Sequence, residues 1–126
     1  MLTIRQARDT DCDAICAIQR AAIVRHYSRT LGEEVARARA ESVDAAALER
    51  SIEAGTVIVA EEIGTLLGFA QFNGATAEIE LSCNADAETR AIPAALLAVI
   101  ETEARSRGLK ALKVRAMTGT ESMYIS

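Results

Sequence analysis

From Thr56 to Cys83 the chain reads TVIVAEEIGTLLGFAQFNGATAEIELSC, and no other stretch limits the fold so strongly. TVIVAE, at 56–61, is a β-branched run suited to a strand buried on both faces. EIGT turns the chain, and LLGFAQF at 66–72 forms the next strand. Asn73-Gly74 then gives the strongest hairpin signal in the sequence, because both residues tolerate positive φ. ATAEIELSC at 75–83 is a third strand, alternating strictly from Ala77. Three consecutive antiparallel strands therefore sit at the centre of the chain, and the rest has to be arranged around a sheet.

The flanks have other periods. LTIRQA at 2–7 alternates apolar and polar residues, as a first strand would. Thr10 or Asp11 is placed as the N-cap of a helix with an acidic first turn. In it Ile15, Ile18, Ala22 and Ile23 recur at helical spacing to about Tyr27. SRTLGEE at 28–34 breaks that helix, with Gly32 as the hinge. A second, alanine-rich helical region runs from about Glu34 to Ala54, with Val35, Val43, Leu48 and Ile52 as apolar positions and Gly55 closing it. After Cys83, PAALLAVIETEARSRG predicts a helix of about 15 residues that starts at Pro93 and stops at Gly108. LKALKVRA at 109–116 is a last strand, and MTGTESMYIS adds no further element. The order β-α-α-β-β-β-α-β predicts an α+β fold, an α/β sandwich with helices on both faces of a mostly antiparallel sheet.

A length of 126 residues suits one domain spanning 1–126. Half the residues are hydrophobic, yet only 3% are aromatic and tryptophan is absent, so the core has to be aliphatic. The net charge is −4, from 14 basic and 18 acidic residues with no basic block, which argues against a nucleic-acid partner. The three cysteines (Cys12, Cys16 and Cys83) are odd in number and lack framework spacing, which points to a reducing compartment. The opening MLTIRQARDTDCD has charges too early for a signal peptide, and no apolar run approaches the ~20 residues that span a bilayer. A cytoplasmic protein without a membrane partner is the expectation. Cys12 and Cys16 share a helix face, but with His26 the only histidine the chain lacks a zinc ligand set, and buried thiols are expected instead.

Alternation over 75–83 places Glu78, Glu80 and Ser82 on one strand face and Ile79, Leu81 and Cys83 on the other. Two carboxylates on one face attract a cationic amine. Without such a ligand they are solvated strand residues.

Over nearly its whole length the chain resembles the GNAT superfamily of acyl-CoA-dependent N-acetyltransferases. The resemblance rests on IRQARDTDCDAICAIQ, on GTVIVAEEIGTLLGFAQF, and above all on AEIELSCNADAETRAIPAALLAVIETEARSRGLKALKV. It implies acetyl-CoA as co-substrate, its pantetheine arm lying along Leu81, Ser82 and Cys83. The pyrophosphate is expected on the N–H groups of Thr89, Arg90, Ala91, Ile92 and Ala94 at the next helix start, with Arg90 as a phosphate cation. The family's (Gln/Arg)-x-x-Gly-x-(Gly/Ala) signature falls on Glu88, Ala91 and Pro93, and all three depart from it. Glu88 repels phosphate, Ala91 adds a methyl group, and Pro93 deletes a donor. One such lost bond is worth about 1.5–3 kcal/mol, or one to two decades of affinity.

The same resemblance implies a glutamate on the 75–83 strand as general base, Glu80 first and Glu78 second, and Tyr124 as the acid that protonates the departing thiolate. The final helix and strand of the family are missing, which leaves a sheet edge open and suggests a homodimer. The implied function is transfer of an acetyl group from acetyl-CoA to the amine of a small molecule or peptide. The alternative is a GNAT-fold protein without activity that binds a ligand or a protein partner.

Overall fold

The computed structural model of the chain describes residues 2–73, 78–88, 90–109, 111–116 and 119–124, and for 88, 111–116 and 119–124 it describes the backbone alone. Strand β1 (Leu2–Gln6) leads through a 3-10 turn into helices α1 (Cys12–Leu31), α2 (Glu33–Glu41) and α3 (Ala45–Glu53). Strands β2 (Val57–Glu62), β3 (Thr65–Asn73) and β4 (Glu78–Cys83) follow. A single-turn helix α4 (Ala85–Glu88) and the long α5 (Ile92–Ser106) come next, and then β5 (Ala111–Ala116) and β6 (Gly119–Tyr124).

The described strands form one six-stranded sheet in sequence order, β1 to β6. Every neighbouring pair is antiparallel except β4 and β5, which run parallel because α5 carries the chain back between them. The α+β architecture read from the sequence is the observed one. The central β2 is buried from Val57 to Ala60, on both faces, as its β-branched run requires. Ile58 and Ala60 pack with Ala70, Phe72, Ile79 and Cys83 against Ile92, Leu96, Ile100 and Ala104 of α5. These four α5 residues are spaced by four, so one stripe of the helix seals this face. On the other face Val57, Val59 and Phe69 meet Cys12, Ile15, Cys16 and Ile18 of α1 and Leu48 and Ile52 of α3. A fully buried side chain of this size contributes about 1.5–3 kcal/mol, so these two aliphatic layers dominate stability.

Several boundaries differ from the sequence expectation, each for a local reason. Helix α1 runs a turn beyond Tyr27, to Leu31, and stops where Gly32 takes φ 85°. The region read as one helix from Glu34 to Ala54 is two, parted at Ser42–Asp44, where the Asp44 carboxylate caps α3 by accepting from Ala47 N–H at 3.1 Å. Val35, expected to be buried, is exposed, and Ala36 and Ala40 face inward instead. Ile63 and Gly64 both take positive φ (52° and 74°) in the β2–β3 turn. Gly74 of the Asn73-Gly74 hairpin signal lies within 74–77, outside the described residues, and the strands on either side pair antiparallel from Asn73↔Glu78. The tail, expected to add no element, supplies β6, and the edge of the described sheet is therefore β6 and not β5.

Asp11 does not cap α1 with its side chain. Its carboxylate accepts from the Arg5 guanidinium at 2.8 and 3.1 Å and from Arg8 N–H at 2.7 Å, while Arg5 also reaches Glu61 at 2.8 Å. These largely buried bonds pin β1 to the turn before α1. The bond from Arg5 holds the Asp11 carboxyl below its ordinary range, against the opposing effect of burial. A depressed folded-state pKa gives stabilisation that is complete above the unfolded value, near ~3.9, and is lost as pH falls through the folded one. Urea denaturation from pH 6 to pH 2.5 is expected to show that loss below about pH 4. Asp11→Asn should lose about 2 kcal/mol at neutral pH and flatten the acid limb.

Candidate active site

The site begins on β4. β4 and β5 pair at Glu78↔Lys113, Ile79↔Val114 and Glu80↔Arg115 among the described residues. Leu81, Ser82 and Cys83 run on beyond the last of these pairs. Asn84 N–H donates to Leu67 C=O at 2.8 Å, and the register beneath it is Gly68↔Cys83, Phe69↔Ser82 and Ala70↔Leu81. Because an antiparallel ladder alternates, the backbone groups of Ser82 and Glu80 point at β3, and those of Leu81 and Cys83 point away from it. An extended chain bearing amides can add to such an edge.

Helix α5 starts just beyond this edge. Ala91 is its N-cap, and Ala91 C=O already accepts from Ala95 N–H at 3.0 Å, so the N–H groups of Ile92 and Ala94 precede the first helical bond. Pro93, in the first turn, has no N–H to add. Ala94 is exposed and Ile92 is buried. Two of the expected phosphate donors are altered. Arg90 N–H is spent on Ala87 C=O at 3.1 Å, closing the turn after α4. The Arg90 guanidinium lies on Glu62 at 3.0 and 3.3 Å. Thr89, also proposed as a donor, lies outside the described residues.

The two faces of β4 divide as alternation requires. Ile79 and Cys83 are buried in the α5 layer with Leu81 packed against it, and Ser82 is buried opposite Phe69 of the α1 layer. Glu78 and Glu80 are half-buried on the α1 side, paired across the ladder with Asn73 and Gln71. A hollow of about 110 Å³ opens there, lined by Gln71, Asn73, Glu78, Ile79 and Glu80. Gln71 is held by its Nε2, which donates to Ser51 Oγ of α3 at 2.7 Å. Glu80 is thus the last residue of β4 described as paired with β5, on a face where an acceptor could approach. Tyr124 is not in this neighbourhood: the register seats its backbone opposite Ala111, at the start of β5. Ala111 is four residues, or about 13 Å, before Arg115, which pairs with Glu80. That position gives no support to Tyr124 as the acid.

Arg25 was not among the residues singled out in the sequence. From α1 its Nη2 donates to Cys83 C=O at 3.0 Å, across 58 positions of chain. One sequence signal does point to it, for Arg25 continues the buried stripe of Ile15, Ile18 and Ala22. Cys12, Cys16 and Cys83 are free thiols and all buried. Burial first, and Cys16 beside it second, push the Cys12 thiol up to about 11, away from reactivity. No group of three His, Cys, Asp or Glu side chains among the described residues could hold a metal ion. No described helix is long and apolar enough to cross a membrane. A trough of about 510 Å³ lies between α5 and the β1–β2 edge, lined by Ile4, Ile58, Phe72 and Val99 among others, with no β4 residue in its lining.

No protein-family model matches the sequence, and no curated relative does. Solved structures do match. The chain is similar to PaiA N-acetyltransferase from Thermoplasma acidophilum, solved with coenzyme A, at TM-score 0.82 and 17% identity over 92% of this chain and 79% of that one. A GCN5-related N-acetyltransferase from Rhodopseudomonas palustris aligns at TM-score 0.79 and 26% identity, covering 90% and 72%. Ribosomal-protein-alanine N-acetyltransferase from Brucella melitensis aligns at TM-score 0.61 and 28% identity, covering 89% and 72%.

Proposed function

By its fold the chain belongs to the GNAT superfamily, and from that premise we propose that it is an N-acyltransferase moving an acetyl group from acetyl-CoA to an amine. The observation that carries this reading is that the Leu81 and Cys83 backbone groups face away from β3, on the strand that leads through α4 to the start of α5. A strand edge followed by helix N–H groups suits a ligand with an extended amide arm and a phosphate end. Leu81 and Cys83 would pair with the arm, and Ala91, Ile92 and Ala94 would meet the phosphates. Acetyl-CoA supplies the acyl group already activated as a thioester.

Glu80 then has one task. It takes a proton from the acceptor's ammonium, so that a neutral nitrogen can attack the thioester carbonyl. The C–N bond forms as the C–S bond breaks, the attacking nitrogen sheds a proton, and the departing sulfur takes one up to leave as the thiol. Glu78 adds negative charge on the same face and draws in a cationic amine. The acceptor class is a small-molecule or peptide amine. The reading includes a cytoplasmic setting, consistent with three free thiols, and a homodimer in which a second copy completes the edge at β6. The test is a panel of amines incubated with acetyl-CoA, with thiol release as the readout. Release that depends on both the amine and Glu80 supports the reading, and none with any amine counts against it.

A second reading, a binding module without activity, draws on the phosphate end alone. There Pro93 lacks a donor, Arg90 N–H is spent, and Glu62 holds the Arg90 guanidinium. Arg90 and Glu62 are both substantially exposed, and such pairs exchange partners at little cost. Glu62→Gln should release Arg90 toward phosphate and tighten CoA binding a few-fold. Unchanged affinity would mean that Arg90 takes no part.

A further inference from the structure

We infer that the outer edge of β1, with the apolar trough beside it, is a docking surface for an extended peptide that joins the sheet as a further strand. The inference does not depend on the acyltransferase reading. Among the described residues β1 ends the sheet, so one side of its backbone faces no strand. The ladder decides which groups lie on that side. Ala7 N–H donates to Val57 C=O at 2.9 Å, in step with the β1–β2 register. By alternation Thr3, Arg5 and Ala7 point at β2, and Leu2, Ile4 and Gln6 point away from it. Gln6 C=O already accepts from Arg5 Nη1 at 3.1 Å, so Ile4, at the middle of the strand, is the residue that offers both its groups.

The trough says what an added strand should carry. It lies between α5 and the β1–β2 edge, on the face where Leu2 and Ile4 pack against the core. Helix α5 spends its stripe of Ile92, Leu96, Ile100 and Ala104 on β2, β3 and β4, and lines the trough with the smaller Ala98, Val99 and Thr102. Val99 is left 40% exposed, and about 510 Å³ stays open over Ile4, Ile58 and Phe72. A strand paired with β1 sets every second side chain on this face. Large apolar residues at those positions fill the trough, and the ladder bonds hold the main chain. A second copy of this chain fits less well. Two-fold pairing of β1 would set Ile4 against the partner's Ile4 and Leu2 against the partner's Gln6, with each α5 still over its own β2, β3 and β4 and both troughs unfilled.

Calorimetric titration tests this with a synthetic peptide, blocked at both ends, that alternates leucine with threonine. A control of the same composition has its leucines consecutive. The alternating peptide should saturate the unmodified protein below about 1 mM, and the control should bind about tenfold more weakly or worse. Ile4→Pro deletes an outward N–H and leaves the β1–β2 bonds of Thr3 and Arg5 in place. Val99→Lys puts a charge on an exposed wall outside the α5 core stripe, and carries the test alone if Ile4→Pro does not fold. Each should weaken the alternating peptide about tenfold. No binding at millimolar peptide overturns the inference, as does equal binding of the two peptides or equal binding to the variants. So does sedimentation of the unmodified protein as a dimer that Ile4→Pro converts to a monomer, which would give the edge to a second copy.

Discussion

Replacing Glu80 by glutamine should cut acetyl transfer about 10²- to 10³-fold, with acetyl-CoA binding and thermal stability little changed. Glutamine keeps the volume and the hydrogen-bonding reach of the side chain but cannot take a proton. Glu80 is half-buried beside the small polar hollow, on the strand face away from the α5 core, so the change removes no core packing. The loss should shrink as pH rises, because more of the acceptor amine is already neutral. Glu78→Gln, one bonded pair before Glu80 along β4, should act mainly on KM for a cationic acceptor. A Glu80→Gln enzyme of ordinary rate would remove Glu80 as the base and move that role to Glu78.

The second large effect is expected at Gly68. It lies opposite Cys83 in a non-hydrogen-bonded pair, where the Cα atoms of an antiparallel ladder come closest. A Cβ at Gly68 would stand 2.6 Å from Cys83 Sγ and 2.9 Å from Ser82 C=O. The thiol could turn aside, but the second contact is to backbone, so β4 itself would have to move. Gly68→Ala should therefore cost about 2–3 kcal/mol, near 10 °C in Tm. It should also weaken acetyl-CoA binding in protein that is still folded, since the strand displaced is the one proposed to carry the arm. A variant within 2 °C of the parent with intact binding would show that β4 yields without consequence.

Much of this was legible in the sequence, for identifiable reasons. Strands β2, β3 and β4 announce themselves by β-branched runs and period-2 alternation, and burial of Ile79 and Cys83 opposite Glu78 and Glu80 follows from that period alone. Helix boundaries were less legible. Asp44 carried an N-cap signal that would have split the Glu34–Ala54 region, but a continuous run of alanines masked it. Strand β6 has no strong pattern of its own; Gly119–Tyr124 becomes a strand by pairing along the whole of β5. That pairing also seats the Tyr124 backbone opposite Ala111, four residues before the Arg115 that pairs with Glu80.

The site contacts that sequence could not supply are the long-range ones. Arg90 meets Glu62 across 28 positions and Arg25 meets Cys83 across 58, and neither spacing has a local signature. The first holds a cation close to the start of α5, and the second ties α1 to the end of β4.

The most direct measurement is calorimetric titration of the unmodified protein with acetyl-CoA. The acyltransferase reading predicts saturable binding in the micromolar range, even with Pro93 in the first turn and Arg90 held by Glu62. Absence of binding up to millimolar ligand would contradict it, and would mean that the fold has kept the shape of an acyl-CoA site without its use.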